Sequence, residues 1–182
     1  MITNLVLLAV VVTTPHLFAG ETSTGVSTQE VVTISIPDTP PIGVAESAWV
    51  MAEAPGPCGY TAGNYTQVGW SWQPGLGSVL GSPRIFAYTS TCEGGGVWWF
   101  GPAVSPGGVV TVDISSVGDT LTDEYLSPTY PPVWQAAMSA TFTGPVTWQT
   151  QVESYGPMTP VCFSGQMVYD QGWSNLPDGC WG

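Results

Sequence analysis

The reactive residue types in this sequence are almost all carboxylic. There are thirteen Asp and Glu, one arginine (Arg84), one histidine (His16) and no lysine. His16 falls in an N-terminal segment with the pattern of a removable leader, so the remaining chain offers neither imidazole nor lysine amine. That excludes a Ser-His-Asp triad, a Cys-His pair, a histidine metal site and a Schiff base. Neither G-x-x-x-x-G-K-[ST] nor G-x-G-x-x-G occurs, so no phosphate or dinucleotide loop is expected. Two carboxylates can serve as acid and base on a glycosidic bond. A Glu paired with a Gln can activate water against a peptide at low pH. Glu46, Glu53, Glu93 and Glu153 fall near the ends of expected strands.

The elements that must position these groups read as strands. VVTVDI and VTWQTQV alternate apolar and polar residues, and EVVTISI (30–36) sets Val32, Ile34 and Ile36 on one face. Further candidates are 65–73, 83–91, 96–102, 107–116, 133–143, 145–154 and 162–170, with AESAWVMAEA (45–54) open between helix and strand. Gly and Pro clusters such as GSPR, EGGG and SPTYPP punctuate most joins. Eight to ten short strands imply an all-β fold, an antiparallel β-sandwich or jelly roll. EVVTISI follows a polar lead and precedes a proline break. It reads as an ordinary first strand, or as one exchanged into a neighbouring subunit of a filament.

The tryptophans sort by strand parity. In YTQVGWSWQ, Trp70 and Trp72 share a face with Thr66 and Val68, while Gln67, Gly69 and Ser71 share the other. The apolar set is expected to be core, and the polar set to line a shallow groove. Trp148 alternates with Val146 and Val152 and reads as core; Thr147, Gln149, Gln151 and Glu153 form the opposite, polar face. Trp98 and Trp99 are adjacent, so only one can point inward. The candidate ligand or assembly surface is Gln67, Ser71, Trp98, Trp99 and Trp173.

The formal net charge of −12 leaves nothing to neutralise phosphates, so nucleic acid and anionic membrane surfaces are excluded as partners. An extracellular glycan or self-association remains. As pH falls, protonation moves this chain towards neutrality, which favours an acidic niche. VDISSVGDTLTDE (112–124) gathers Asp113, Asp119, Asp123 and Glu124. Read as a loop, it could hold calcium through hard oxygen ligands, although the EF-hand order is missing. No other cofactor is expected. Asn64-Tyr65-Thr66 is an N-glycosylation acceptor on an expected turn.

The apolar run Leu5–Val12, followed by Pro15 and Ala19, has the length of a secretory leader and is too short to span a bilayer as a helix. The organisation expected is a signal peptide over 1–19, a lead with one strand over 20–44, and a sandwich domain over 45–182, in a secreted or cell-surface protein. Cys58, Cys92, Cys162 and Cys180 are widely spaced and form no C-x-x-C pair. Export and spacing favour two disulfides. Of three connectivities, Cys58–Cys92 with Cys162–Cys180 closes the shortest loops.

SAWV (47–50), TQVGW (66–70), VWWFGP (97–102), SPGGVVTVDI (105–114) and VTWQTQVE (146–153) together resemble the acid-acting glutamic peptidases and their neprosin-type relatives, in the order that family presents them. The resemblance implies a secreted β-sandwich. It also places Gln67 where the family carries a catalytic Gln or Glu. The family's second catalytic residue is a Glu directly before a tryptophan, and here Thr147 precedes Trp148. A hydroxyl cannot replace a carboxylate as general base at low pH. The expectation is therefore a non-enzymatic protein that binds a glycan or builds a filament or coat. The alternative is an acid-acting hydrolase, peptidase or glycosidase, using Gln67 and Glu153.

Overall fold

The computed structural model describes residues 17–25, 28–39, 45–54, 64–72, 82–91, 95–117, 120–126, 134–139 and 146–181. In them the chain forms thirteen strands: β1 (Leu17–Gly25), β2 (Gln29–Ser35), β3 (Glu46–Ala54), β4 (Asn64–Trp72), β5 (Arg84–Thr91), β6 (Gly95–Ala103), β7 (Val109–Val117), β8 (Thr120–Leu126), β9 (Trp134–Ser139), β10 (Val146–Ser154), β11 (Val161–Tyr169), β12 (Trp173–Asn175) and β13 (Gly179–Trp181). Sheet A runs β1-β10-β3-β4-β5-β6, and sheet B runs β12-β11-β2-β7-β8-β9 with β13 also paired to β11. Every pairing is antiparallel. The all-β sandwich expected from the alternating segments is the fold observed, with more strands than the eight to ten anticipated.

The core forms where the inner faces of the two sheets meet. Val32 and Ile34 of β2, Val110, Val112 and Ile114 of β7, and Phe163 of β11 come from sheet B. Ala48, Val50 and Ala52 of β3, Val68, Trp70 and Trp72 of β4, and Trp148 and Val152 of β10 come from sheet A. Alternation put them there: neighbours in each set are separated by two residues, or by four across Thr150 in β10. Trp70 also satisfies its indole N–H, donating to the Ser35 carbonyl at 3.0 Å. The core reading of Trp70, Trp72 and Trp148 therefore holds.

Several elements differ from expectation. Residues 17–25, read as the end of a leader and a polar lead, form the edge strand β1, paired to β10 along its whole length. EVVTISI is not a free strand. It is β2, bonded on one side to β11 and on the other to β7. Its apolar face, Val32, Ile34 and Ile36, packs into the core between the sheets, and both its edges are paired within this chain. AESAWVMAEA is strand, not helix. Most of the expected calcium loop is the β7–β8 hairpin, with Asp113 opposite Glu124 and Ile114 opposite Asp123. Because strand residues alternate, Asp113 and Asp123 lie on opposite faces, and the ligand set is split. Among the described residues no group of three could hold a metal ion.

Cys162 and Cys180 form a disulfide that ties β13 to β11. Cys58, Cys92, Glu93 and Asp119 lie outside the described residues, as do residues 1–16. Asn64 is the first residue of β4 rather than a turn residue, and Thr66 of the same sequon is buried.

Candidate functional site

The outer face of sheet A carries the chemistry, and strand register organises it into rungs. One rung crosses from Thr147 (β10) to Glu53 (β3), Tyr65 (β4) and Ser90 (β5). The next runs Gln149, Met51, Gln67, Tyr88 and Trp98. A third runs Gln151, Trp49, Gly69, Phe86 and Phe100, and the last joins Glu153, Ser47, Ser71 and Arg84. A groove of about 390 Å³ lies over this face, with Glu53, Gln67, Tyr88, Trp98, Gln151 and Glu153 in its lining.

Its floor is apolar although it faces away from the sandwich core. Trp49, Met51 and Phe86 form a separate buried cluster, against which Tyr65 and Tyr88 pack. Glycine shapes the floor at two points. A Cβ at Gly69 would lie 2.0 Å from the carbonyl oxygen of Ala48, so the backbones of β3 and β4 approach as only glycine permits. A Cβ at Gly96 would lie 1.9 Å from the Tyr88 hydroxyl, so the phenol rests across the glycine.

The two sides of the groove differ in chemistry. On β4, β5 and β6 the rings form a continuous wall: Tyr65–Tyr88 centroids are 5.7 Å apart, Tyr88–Trp98 4.6 Å, Phe86–Trp98 5.4 Å and Trp98–Phe100 5.9 Å, the last stacked. Trp98 is 43% exposed, so its ring is open to a ligand. On β3 and β10 lies a polar bank. Gln151 Nε2 donates to Gln149 Oε1, and Gln149 Nε2 donates to Glu53 Oε2 at 3.1 Å. Gln67 Nε2 points to Met51 Sδ at 3.4 Å. Burial, reinforced by neighbouring Tyr88 and Glu153, raises the Tyr65 hydroxyl to about 12, so it stays protonated.

The groove brings together only part of the expected set. Gln67, Glu153 and Trp98 line it. Ser71 shares their face but is buried, its hydroxyl 2.9 Å from that of Ser47. Trp99 points to the other face of β6, as adjacency required for one of the pair. Trp173 stands on β12 in sheet B, against Tyr169, with centroids 5.4 Å apart. Glu46 is buried and accepts the Thr159 N–H at 2.8 Å, with its carboxyl raised by burial. It caps a loop and does not reach the groove.

Two features escaped the sequence reading. Glu53, considered only as one of several acids, is the direct cross-strand partner of Thr147. Tyr65 and Tyr88 were not singled out, although parity alone puts Tyr65 beside Gln67.

The sandwich is similar to that of scytalido-glutamic peptidase. A solved structure of that enzyme with a transition state analog inhibitor matches with a TM-score of 0.54 at 17% identity, covering 85% of this chain and 81% of the peptidase chain. A functionally unknown protein from Saccharomyces cerevisiae matches with a TM-score of 0.53 at 10% identity, covering 82% of this chain and 72% of the other. At these identities the likeness is one of fold. No protein-family model matches the chain, and no curated protein matches its sequence. Thr147 and Gln67 share the outer face of sheet A, one rung apart.

Proposed function

We propose that this protein is a secreted, non-enzymatic β-sandwich that binds a glycan chain in the groove on sheet A. The observation that carries the reading is the two-sided groove, an aromatic wall facing a bank of amides and carboxylates. Pyranose rings present the matching pair of surfaces, an apolar C–H face that stacks on aromatic rings and an edge of hydroxyls that donates to carboxylates and amides. Thr147 supports binding over turnover, because the hydroxyl cannot act as the base.

One observation favours a second reading, an acid-acting hydrolase. Glu53 projects from the same rung as Thr147, so it could supply from β3 a carboxylate missing from β10, beside Gln67. Glu153, the acid favoured from sequence, lies in the same groove but three rungs from Thr147.

Retention of the protein on a panel of insoluble polysaccharides tests the first reading, with a parallel assay of peptide and glycoside hydrolysis from pH 2.5 to 6. Retention that Trp98→Ala weakens at least tenfold, with no turnover, is expected. Turnover abolished by Gln67→Ala or Glu53→Gln would establish the hydrolase instead.

A further inference from the structure

We propose that the groove selects a glycan bearing protonated amines, a polymer of amino sugars, over neutral or acidic chains; this rests on the glycan-binding reading of the same groove. Three features of the groove converge on that ligand class.

The first is charge. Glu53 and Glu153 both line the groove, and among the described residues no cationic side chain does. The chain has a single arginine and no lysine to supply one. Arg84, at the edge of the same face, directs Nε and Nη2 at the Gly101 carbonyl oxygen, at 3.1 and 2.7 Å. An acidic glycan would bring carboxylates or sulfates against two carboxylates on a chain of net charge −12, where partial burial strengthens the repulsion.

The second is the direction of the hydrogen bonds. Each of the three amides gives one of its two N–H donors to a neighbour: Gln151 to Gln149, Gln149 to Glu53 and Gln67 to the Met51 sulfur. A carboxylate only accepts. The bank is therefore rich in acceptors, and the best partner is a group with several donors. An ammonium offers three, with the charge that strengthens each bond.

The third is the wall. The faces of Tyr88 and Trp98 carry the negative side of the ring quadrupole, so they attract a cation as well as a sugar face. An amino sugar stacked on Trp98 satisfies both banks of the groove at once.

The test is calorimetric titration at pH 6 with three oligosaccharides of equal length: glucosamine, N-acetylglucosamine and a uronic acid. The glucosamine oligomer is expected to bind at least tenfold more tightly than its acetylated counterpart, and the uronate not at all. Glu53→Gln and Glu153→Gln should each cut that preference several-fold, while Trp98→Ala weakens binding of both hexosamine oligomers. Asp170→Asn, an exposed acid in the turn between β11 and β12 of the other sheet, should change nothing, which separates groove recognition from the general attraction of an acidic protein for a polycation. Equal affinity for the acetylated oligomer would overturn the amine preference and leave the glycan groove standing. Amine binding indifferent to Trp98→Ala and to both Glu variants would overturn it as well. Absence of binding to all three, and to the insoluble panel, would remove the groove reading itself.

Discussion

Thr66 donates its hydroxyl to Asp123 Oδ2 at 2.6 Å, a buried hydrogen bond that crosses from β4 in sheet A to β8 in sheet B. Thr66 stands between the groove residues Tyr65 and Gln67, and its hydroxyl also lies 2.9 Å from that of Thr89. Among the described residues Asp123 Oδ1 has no hydrogen-bond partner, and the same holds for Oε2 of Glu30, whose Oε1 accepts from Gln166 Nε2 at 2.5 Å. Both carboxyls sit in the sandwich interior, flanking Ile114 in register. Burial is the main cause that raises each of them to about 8, with Asp113 nearby adding repulsion.

This interior makes the fold acid-favouring. Both carboxyls keep their protons when folded across a range, from the ordinary carboxylate value to about 8, in which the unfolded chain has lost them. The native state therefore binds more protons there, and stability falls as pH rises. The contribution is fully present below about pH 4 and lost above about pH 8. Asp113, raised to about 6 chiefly by burial, acts in the same direction over a lower window. Thermal melts should show a Tm roughly 10 °C or more lower at pH 9 than at pH 5. A Tm that is equal or higher at pH 9 would contradict the assignment.

Asp123→Asn should flatten that profile, because the amide keeps an oxygen for Thr66 and loses the ionisation. The variant should melt several degrees above the parent at pH 9 and no higher than it at pH 4. Thr66→Val should cost about 1–3 kcal/mol at pH 5, since it leaves a buried carboxyl without its donor. Denaturant titration at the two pH values measures both effects.

Gly69→Ala tests the floor of the groove. The added methyl meets a backbone carbonyl rather than a flexible side chain, so neighbouring strands must separate. A loss of about 3 kcal/mol is expected from overpacking of this kind, read as a lower urea midpoint. An unchanged midpoint would mean that β3 and β4 are not held in this register.

Much of the fold was legible because period-two alternation is local. Trp70, Trp72, Trp148, Val32 and Ile34 declare their face from their own strand, and each is buried as read. The polar face opposite Trp70 was legible for the same reason, and it gave Gln67. Cross-strand register was not legible. Nothing within β3 says that Glu53 meets Thr147, since that pairing depends on how β10 docks between β1 and β3. The acidic run at 112–124 misled because composition suggests a loop. Only pairing of the two halves as a hairpin shows one carboxyl turned inward and another outward.

The disulfide has its own expectation. Cys162 and Cys180 close an 18-residue separation, for which chain-entropy arguments give about 3 kcal/mol. A Cys162→Ser, Cys180→Ser double variant should lose about that much in denaturant titration, with the loss centred on β11, β12 and β13 by hydrogen exchange. Loss of binding in the groove would not be expected, because these strands belong to sheet B.

The claim that the groove on sheet A is the binding site can be tested on the tryptophans themselves. Their indole N–H signals can be followed by heteronuclear NMR while the tightest-binding oligosaccharide of the panel is titrated in. Trp98 lines the groove, Trp70 and Trp148 are core, and Trp173 is 49% exposed on the opposite sheet. The Trp98 signal is expected to move most and to saturate with the ligand, while Trp173 stays in place. Movement of Trp173 with Trp98 unmoved would contradict the claim.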